Sequence, residues 1–516
     1  MLTALGRGID ALVTAFSPAW GLRRRLYRER SATYAAAQTH RLTGDWAPVD
    51  STVNDIIRAS NALIRPRIRQ LVRDFPYFAR AVDAAVDFTV GPGITYQARV
   101  RDSSGGALDR ALNQRIEDAF HFWADEADAA KKLHYYEIMQ LAKRQDMECG
   151  EFILVTTDLY DRGRYLPFAL QIYEPDWLTT ANDTVSVTDA ANAVDQGIEY
   201  RTATGEVVAY HFTDPDGWGK SVRIPAKRVI HGFRALRPGQ LRGVSPLVAA
   251  VLMAHDMHDY IDAEIDAAKM AAKRLAVVTS DDPYARQAGL AETDADTGAK
   301  IEEMENAIIE YLRPGEDITI ATNPRPGDNF GNTVRFLVNM LSVVSGIPYE
   351  ILSADYRGLN YSTSRTARND FAVQLRGVAA RHVRHFGMPT LNGFLGAAVT
   401  YGRLDLPNYF VNPSFYARAS WQPPGMESID PLRETKARIS EVTALLRSPQ
   451  EIIRARGGDP ERVLQEIADF KAWADDQGLD FQALIDSVGT GVKNNPAAVA
   501  QQRTGRNLKV IRRETQ

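Results

Sequence analysis

The chain has 516 residues, 45% of them hydrophobic and 24% charged, with a formal net charge of -4 at neutral pH. That length supports two to four domains with buried cores, and the slight acidity excludes a protein whose whole surface grips nucleic acid, since such domains carry a clear basic excess. The lone cysteine, Cys149, excludes an intrachain disulfide and suits a reducing compartment such as a cytoplasm.

No run approaches the roughly 18 uninterrupted apolar residues of a membrane span, so no membrane partner is expected. Arg7 and Asp10 break the amino-terminal run that a secretion signal would need. Residues 1–50 carry five clustered arginines, Arg23, Arg24, Arg25, Arg28 and Arg30. They read as a mobile arm, either a solvated tail or an electrostatic hook for DNA or an acidic partner.

From Val53 to Phe88 apolar residues recur at helical spacing, including Ile56, Ile57, Ile64, Ile68 and Leu71. "VGPGITYQARV" then turns into a strand, and a second helix is expected over about Leu108 to Leu141. Between Phe152 and Phe233 the period changes to two, with Gly, Pro and Asp turn clusters between runs such as "FILVTTD" and "EVVAYHFTD". This predicts an α+β domain of mostly antiparallel strands. In "GVSPL", Ser245 is a good N-cap and Pro246 fits the first helical position, so a helix of about 28 residues is expected to reach Arg274.

A loop-rich insert with short strands follows. The next helix, Thr333 to Ser345, buries Val334, Leu337, Val338, Leu341 and Val344 and stops at Gly346 and Pro348. The polar stretch "GIPYEILSADYRGLNYSTSRTARND" then leads to a helix from about Ser364 to Phe386. Beyond Trp421 come short helices, two of them opened by Ser448 with Pro449 and by Asp459 with Pro460. The basic tail from Asn494 reads as disordered.

Candidate chemistry is sparse. "DPDGWGKS" ends like a phosphate-binding loop at Gly219, Lys220 and Ser221, but Asp214 stands where the first glycine belongs and "VRIPAKRVI" continues as a strand. A hairpin turn is the expected reading. Asp294, Asp296 and Glu305 sit at calcium-loop offsets, yet Ala299 replaces the required glycine, so a solvated acidic loop is expected. His255, His258 and Asp259 lack the glutamate of a zinc protease motif. Cys149 has no sequence-near histidine, and no G-x-S-x-G elbow occurs. No cofactor, no metal and no catalytic residue is expected.

The long helix offers more. His255, Asp259, Asp262 and Asp266 form one acidic stripe that Lys269 and Lys273 extend into positive charge, while Val251, Leu252, Tyr260, Ile261 and Ile265 lie elsewhere on the cylinder. On one subunit this is a solvated face. Around a DNA-carrying bore the same stripe would repel phosphates, and its spacing alone does not choose between the two.

The run "VIHGFRALRPGQLRGVSPLVAAVLMAHDMHDYIDAEIDAAKMAAKRLAVVTS", with "YLRPGEDI", "NPRPGDNF", "VVSGIPYEILSADYRGLNYSTSRTARNDF" and "WQPPGMESIDPLRETKA", resembles the portal proteins of lambda-type tailed bacteriophages. The likeness spans about Asn54 to Ala437 and fades over the first 50 residues and beyond about residue 450. It implies an α+β portal fold assembled as a ring, usually of twelve subunits, at one capsid vertex. Double-stranded DNA would pass through the ring without sequence reading. The terminase large subunit, head-completion or connector proteins, and major capsid or scaffold protein would dock on it.

Mapped onto this chain, the resemblance implies an arm at 1–50, a wing at 51–244, stem helices at 245–274 and 333–346 and a clip at 275–332. A tunnel loop would occupy 347–364, returning wing segments 365–424, a helical crown 425–493 and a tail 494–516. Tyr356, Arg357, Asn360, Tyr361, Ser362 and Ser364 would belong to the tunnel loop. Arg365 and Arg368 would contact phosphates from the following helix. Two rival readings are a packaging-associated ATPase or hydrolase, and a sequence-specific DNA-binding protein using "SPQEIIRARGGDPERVLQEI" as a helix-turn-helix.

Overall fold

Local sequence sets most element boundaries in the computed structural model of this chain. The structure describes residues 50–102, 106–160, 163–183, 191–213, 221–273, 277–280, 292–293, 300–301, 316–319, 329–358, 360–426, 430–479 and 481, with side chains described outside 270–328. The chain divides into Met1–Ile56 and Ile57–Gln516. In the first unit, Thr52 Oγ1 accepts from the Asp55 amide at 3.2 Å, a cap at the start of helix α1, Val53–Asp74.

The expected helical run over 53–88 divides in two. Phe75 precedes a proline and takes an extended conformation, so α1 ends there and α2, Pro76–Thr89, begins. The single helix expected over 108–141 also divides. Helix α3, Arg110–Ala124, is capped by Asp109, whose carboxylate accepts from the Leu112 amide at 3.0 Å. Helix α4, Tyr135–Cys149, starts at His134, whose Nδ1 accepts from the Tyr136 amide while Glu137 accepts from the His134 amide. Asp128 holds the turn between them by accepting from the amides of Lys132 and Leu133. Gly150 closes α4 at φ +82°, and a Cβ there would lie 2.0 Å from the Val244 carbonyl carbon, so both conformation and space demand glycine.

Strand β1, Thr95–Ala98, pairs antiparallel with β13, Ala419–Gln422. The expected antiparallel strands follow. β2, Glu151–Asp158, lies between β3, Phe168–Tyr173, and β8, Val229–Phe233. A second sheet orders β4, Asn192–Asp195, β5, Ile198–Arg201, β6, Val207–Thr213, and β7, Ser221–Pro225. Thr213 pairs with Ser221, so a strand paired antiparallel with β6, and not a helix, follows residues 214–220 of "DPDGWGKS", which lie outside the described set.

The long helix differs from expectation at its start. Ser245 Oγ donates to the Met147 carbonyl at 2.5 Å and accepts from the Leu247 amide, which commits it to the end of α4. Turns and a 3-10 segment, Val248–Ala250, intervene, and α5 runs Val251–Lys273. In the insert, β9, Val277–Ser280, pairs antiparallel with β12, Glu316–Thr319, and β10, Glu292–Thr293, with β11, Lys300–Ile301. The calcium-like loop residues Asp294, Asp296, Ala299 and Glu305, the arm 1–49 and the tail 494–516 lie outside the described residues.

Helix α6, Phe330–Ser345, ends on Gly346 at φ +72°. Short α7, Tyr349–Ser353, follows, then α8, Tyr361–His382, which passes through a π-helical turn at Val383–Gly387 into α9, Met388–Thr400. A short α10, Pro413–Tyr416, precedes β13; α11, Pro431–Thr443, α12, Pro449–Ala455, and α13, Pro460–Asp476, follow it among the described residues. As expected, Ser448 and Asp459 cap α12 and α13 ahead of their prolines.

Three apolar cores hold this together. Trp123, Phe120, Tyr135, Phe386 and Phe394 centre the first, under β1–β3. Phe78, Met257, Val338, Leu341 and Phe371 join α2, α5, α6 and α8 in the second. Ile153, Tyr210 and Phe212 join the two sheets in the third. Among the described residues, no helix is long and apolar enough to cross a membrane.

A buried ionic junction ties the sheets to the run-in of α5. Glu151, wholly buried, accepts from Arg65 at 2.6 Å, from Arg242 at 2.8 Å, from the Gly243 amide at 2.6 Å, and lies 3.1 Å from His231 Nε2. Burial alone would push its carboxyl pKa up, but Arg242 and Arg65 hold it well below the usual range. Arg242 also donates to the Gln196 and Pro175 carbonyls.

Candidate nucleic-acid interface

Helix α5 buries Val251, Ala254 and Met257 and turns its polar stripe outward. The side chains of His255, Asp259, Asp262, Asp266 and Lys269 are 63–70% exposed. They are linked along the helix, with His255 Nδ1 3.4 Å from Asp259, His258 Nε2 3.7 Å from Asp262, and Lys269 Nζ 3.0 Å from Asp266. Such pairs contribute only about 0.3–0.5 kcal/mol each in water, so they do not hold the helix in place. Lys273 is the last residue of α5, and its side chain lies outside the described set.

Helix α6 packs beside α5, with the rings of Tyr260 and Phe330 5.8 Å apart. Val338 and Leu341 are buried as expected, and Val334, Leu337 and Val344 are partly buried. Sequence periodicity did not single out the other face. Phe336, Met340 and Val343, at i, i+4 and i+7, are exposed, Phe336 by 63% and Val343 by 79%. Such a row on one helix face is a candidate interaction surface.

The segment after Gly346 is shorter as a loop than the expected 347–364. Residues 349–353 form α7, and Asn360 caps α8 by accepting from the Thr363 amide at 2.9 Å while the Thr363 hydroxyl accepts from the Asn360 amide. Tyr361, Ser362 and Ser364 therefore sit on the first turn of a helix, three residues before its expected start, because Asn360 supplies the cap. The loop proper lies between Ala354 and Asn360, with residue 359 outside the described set. Ala354 turns it at φ +53°, and Arg357 donates to both Asp355 oxygens at 2.8 and 3.0 Å. That fork holds the Asp355 carboxyl at about 2. Tyr356 and Tyr361 are exposed.

Arg365 and Arg368 lie one and two turns into α8, and they border a cleft against α11 and α12. Sequence reading brought these two arginines to the loop but not to the opposing helices, which begin at Pro431, 63 positions beyond Arg368. Cys149 is buried; burial foremost pushes its thiol up to about 11, and Arg69 donates to its Sγ at 3.3 Å. It is a packed side chain and not a poised nucleophile.

Comparison with known proteins bears on these features. The family described as "Phage portal protein, lambda family" matches residues 39–378. A probable portal protein of Halomonas phage phiHAP-1 is 25% identical over 461 residues, covering 85% of this chain and 86% of the relative. Portal protein B of Escherichia phage lambda is 20% identical over 460 residues, covering 82% and 85%. Among solved structures, the neck of a native gene transfer agent particle, computed with C12 symmetry, is 15% identical and covers 80% of this chain and 100% of that one, with a TM-score of 0.40.

Proposed function

Because the chain belongs to the lambda family of phage portal proteins, we propose that it is the conduit at one capsid vertex through which double-stranded DNA is packaged and later ejected. The observation that carries the architecture is the α5–α6 pair. One face is acidic and hydrated, and another exposes Phe336, Met340 and Val343. A lone subunit leaves the apolar row in water. A closed ring, of twelve copies on the family expectation, covers it against a neighbour while leaving the acidic stripe to line the bore.

In this reading residues 51–244 and 365–424 are wing, α5 and α6 are stem, 275–332 is clip and 425–493 is crown. The acidic stripe repels phosphates and keeps the duplex from adhering. Tyr356, Arg357 and Asn360 at the loop, with Tyr361, Ser362 and Ser364 beside it, face the duplex. The chain performs no catalysis of its own. The terminase large subunit docks at the clip and supplies the energy, connector proteins succeed it there, and capsid or scaffold protein meets the wing. The protein stands in the virion at the portal vertex and assembles in the host cytoplasm.

Electron microscopy of the purified full-length protein tests the proposal. Class averages with rotational symmetry and a central hole are expected. A subunit that stays monomeric even when coexpressed with its capsid protein would overturn it.

A further inference from the structure

The cleft between α8 and the helices α11 and α12 has a volume of about 730 Å³ and carries an unusual charge for an acidic chain. Helix α8 contributes Arg365, Arg368 and Arg376. Facing them are Arg438, Arg447 and Arg454. Among the described residues, two carboxylates line the cleft with these six guanidiniums, and both are engaged: Glu434 pairs with Arg438 at 3.2 Å, and Glu451 closes the capping box of α12, while Arg447 lies 3.5 Å from Glu441 outside the lining. Among the described residues no lysine lines the cleft. Arg454 Nε is buried without a hydrogen-bond partner among the described residues, a donor that calls for an acceptor.

From this arrangement we infer that the cleft is a binding site for the phosphodiester groups of DNA, distinct from the loop 354–360. Guanidinium forks match phosphate oxygens in pairs. The apolar floor of Phe88, Leu375 and Met426 lowers the local dielectric and strengthens each ion pair formed there. Phosphodiester is favoured over an acidic peptide by continuity: Arg365 and Arg368 follow the loop by five and eight positions past its capping Asn360, so a strand leaving that loop meets the cleft next. This assignment rests on the portal reading. It adds that DNA bridges α8 to α11 and α12, joining the loop helix to the crown.

The test is the salt dependence of binding of a fluorescent, random-sequence 20-base-pair duplex to the intact purified assembly. Arg376→Ala with Arg447→Ala removes two exposed side chains and spares the half-buried Arg454. The slope of log affinity against log salt should become shallower by about 2, close to 0.9 for each phosphate that is no longer neutralised. Arg365→Ala with Arg368→Ala should weaken binding as well. An unchanged slope in Arg376→Ala/Arg447→Ala, with rings intact and the Arg365→Ala/Arg368→Ala slope reduced, overturns the cleft assignment and leaves the portal reading standing. Tighter binding of a polyglutamate peptide than of the duplex, abolished in Arg376→Ala/Arg447→Ala, reassigns the cleft to an acidic protein. Binding of inorganic tripolyphosphate with no duplex binding reassigns it to free phosphate.

Discussion

Glu151 is a carboxylate held wholly out of water, and among the described residues Arg65, Arg242, His231 and the Gly243 amide satisfy it. Glu151→Gln should destabilise the fold by about 3–5 kcal/mol, because it leaves the buried Arg242 without its counter-charge and Arg65 with Asp176 alone; urea or thermal melts at pH 7 measure this. The folded pKa lies below the unfolded value of 4.5. The stabilisation is therefore present above pH 4.5 and is lost as pH falls toward the folded value. Glu117 behaves oppositely. Burial foremost, with Asp459 and Glu461 nearby, raises its carboxyl to about 7, while it accepts from the Ala98 amide at 2.8 Å. Its protonated form favours the folded state, so that contribution is full below pH 4.5 and is lost as pH rises through 7. Glu117→Gln keeps the acceptor and should raise the melting temperature at pH 8 while changing it little at pH 4; an equal shift at both would refute the assignment. Neither residue announced itself in the sequence, since Glu151 meets Arg65 and Arg242 from 86 and 91 positions away.

Elements with local signals were legible. The period-two runs from 152 to 233 became antiparallel strands, and Ser448, Asp459 and Gly346 ended or began helices where expected. Misplaced boundaries had identifiable causes. His134 caps α4 although histidine is a rare cap, Ser245 spends its hydroxyl on Met147, and Phe75 yields to the proline after it. Asn360 is the cap that defines the loop's length. Asn360→Ala should fray the first turn of α8 at a cost of about 1 kcal/mol, read as faster amide hydrogen exchange over 361–364 with α9 unchanged.

At the scale of the whole molecule, the α5 and α6 faces make opposite demands. Phe336→Glu with Val343→Glu places charge on a row that a neighbouring copy is proposed to cover, and should shift mass-photometry peaks from rings to monomers without lowering the melting temperature of the subunit. Asp259→Lys with Asp262→Lys and Asp266→Lys should leave rings intact but slow DNA packaging, because the reversed stripe holds phosphates instead of repelling them. Packaging at the unaltered rate would mean that the stripe does not face the bore. The acidic spacing was readable from sequence, but the apolar row on α6 was not, because helical periodicity marks a stripe without saying which side the second core takes. Val338 and Leu341 turned inward with α2 and α8, and that choice left Phe336, Met340 and Val343 outside.

The Glu151 junction also has a mechanical meaning. Arg65 anchors it to α1, His231 to β8, and Arg242 with Gly243 to the few residues that run into α5. The start of the run-in is thereby fastened to a helix and a strand at one point, so the junction is a clamp: a pull carried along the run-in would reach α1 and β8 together.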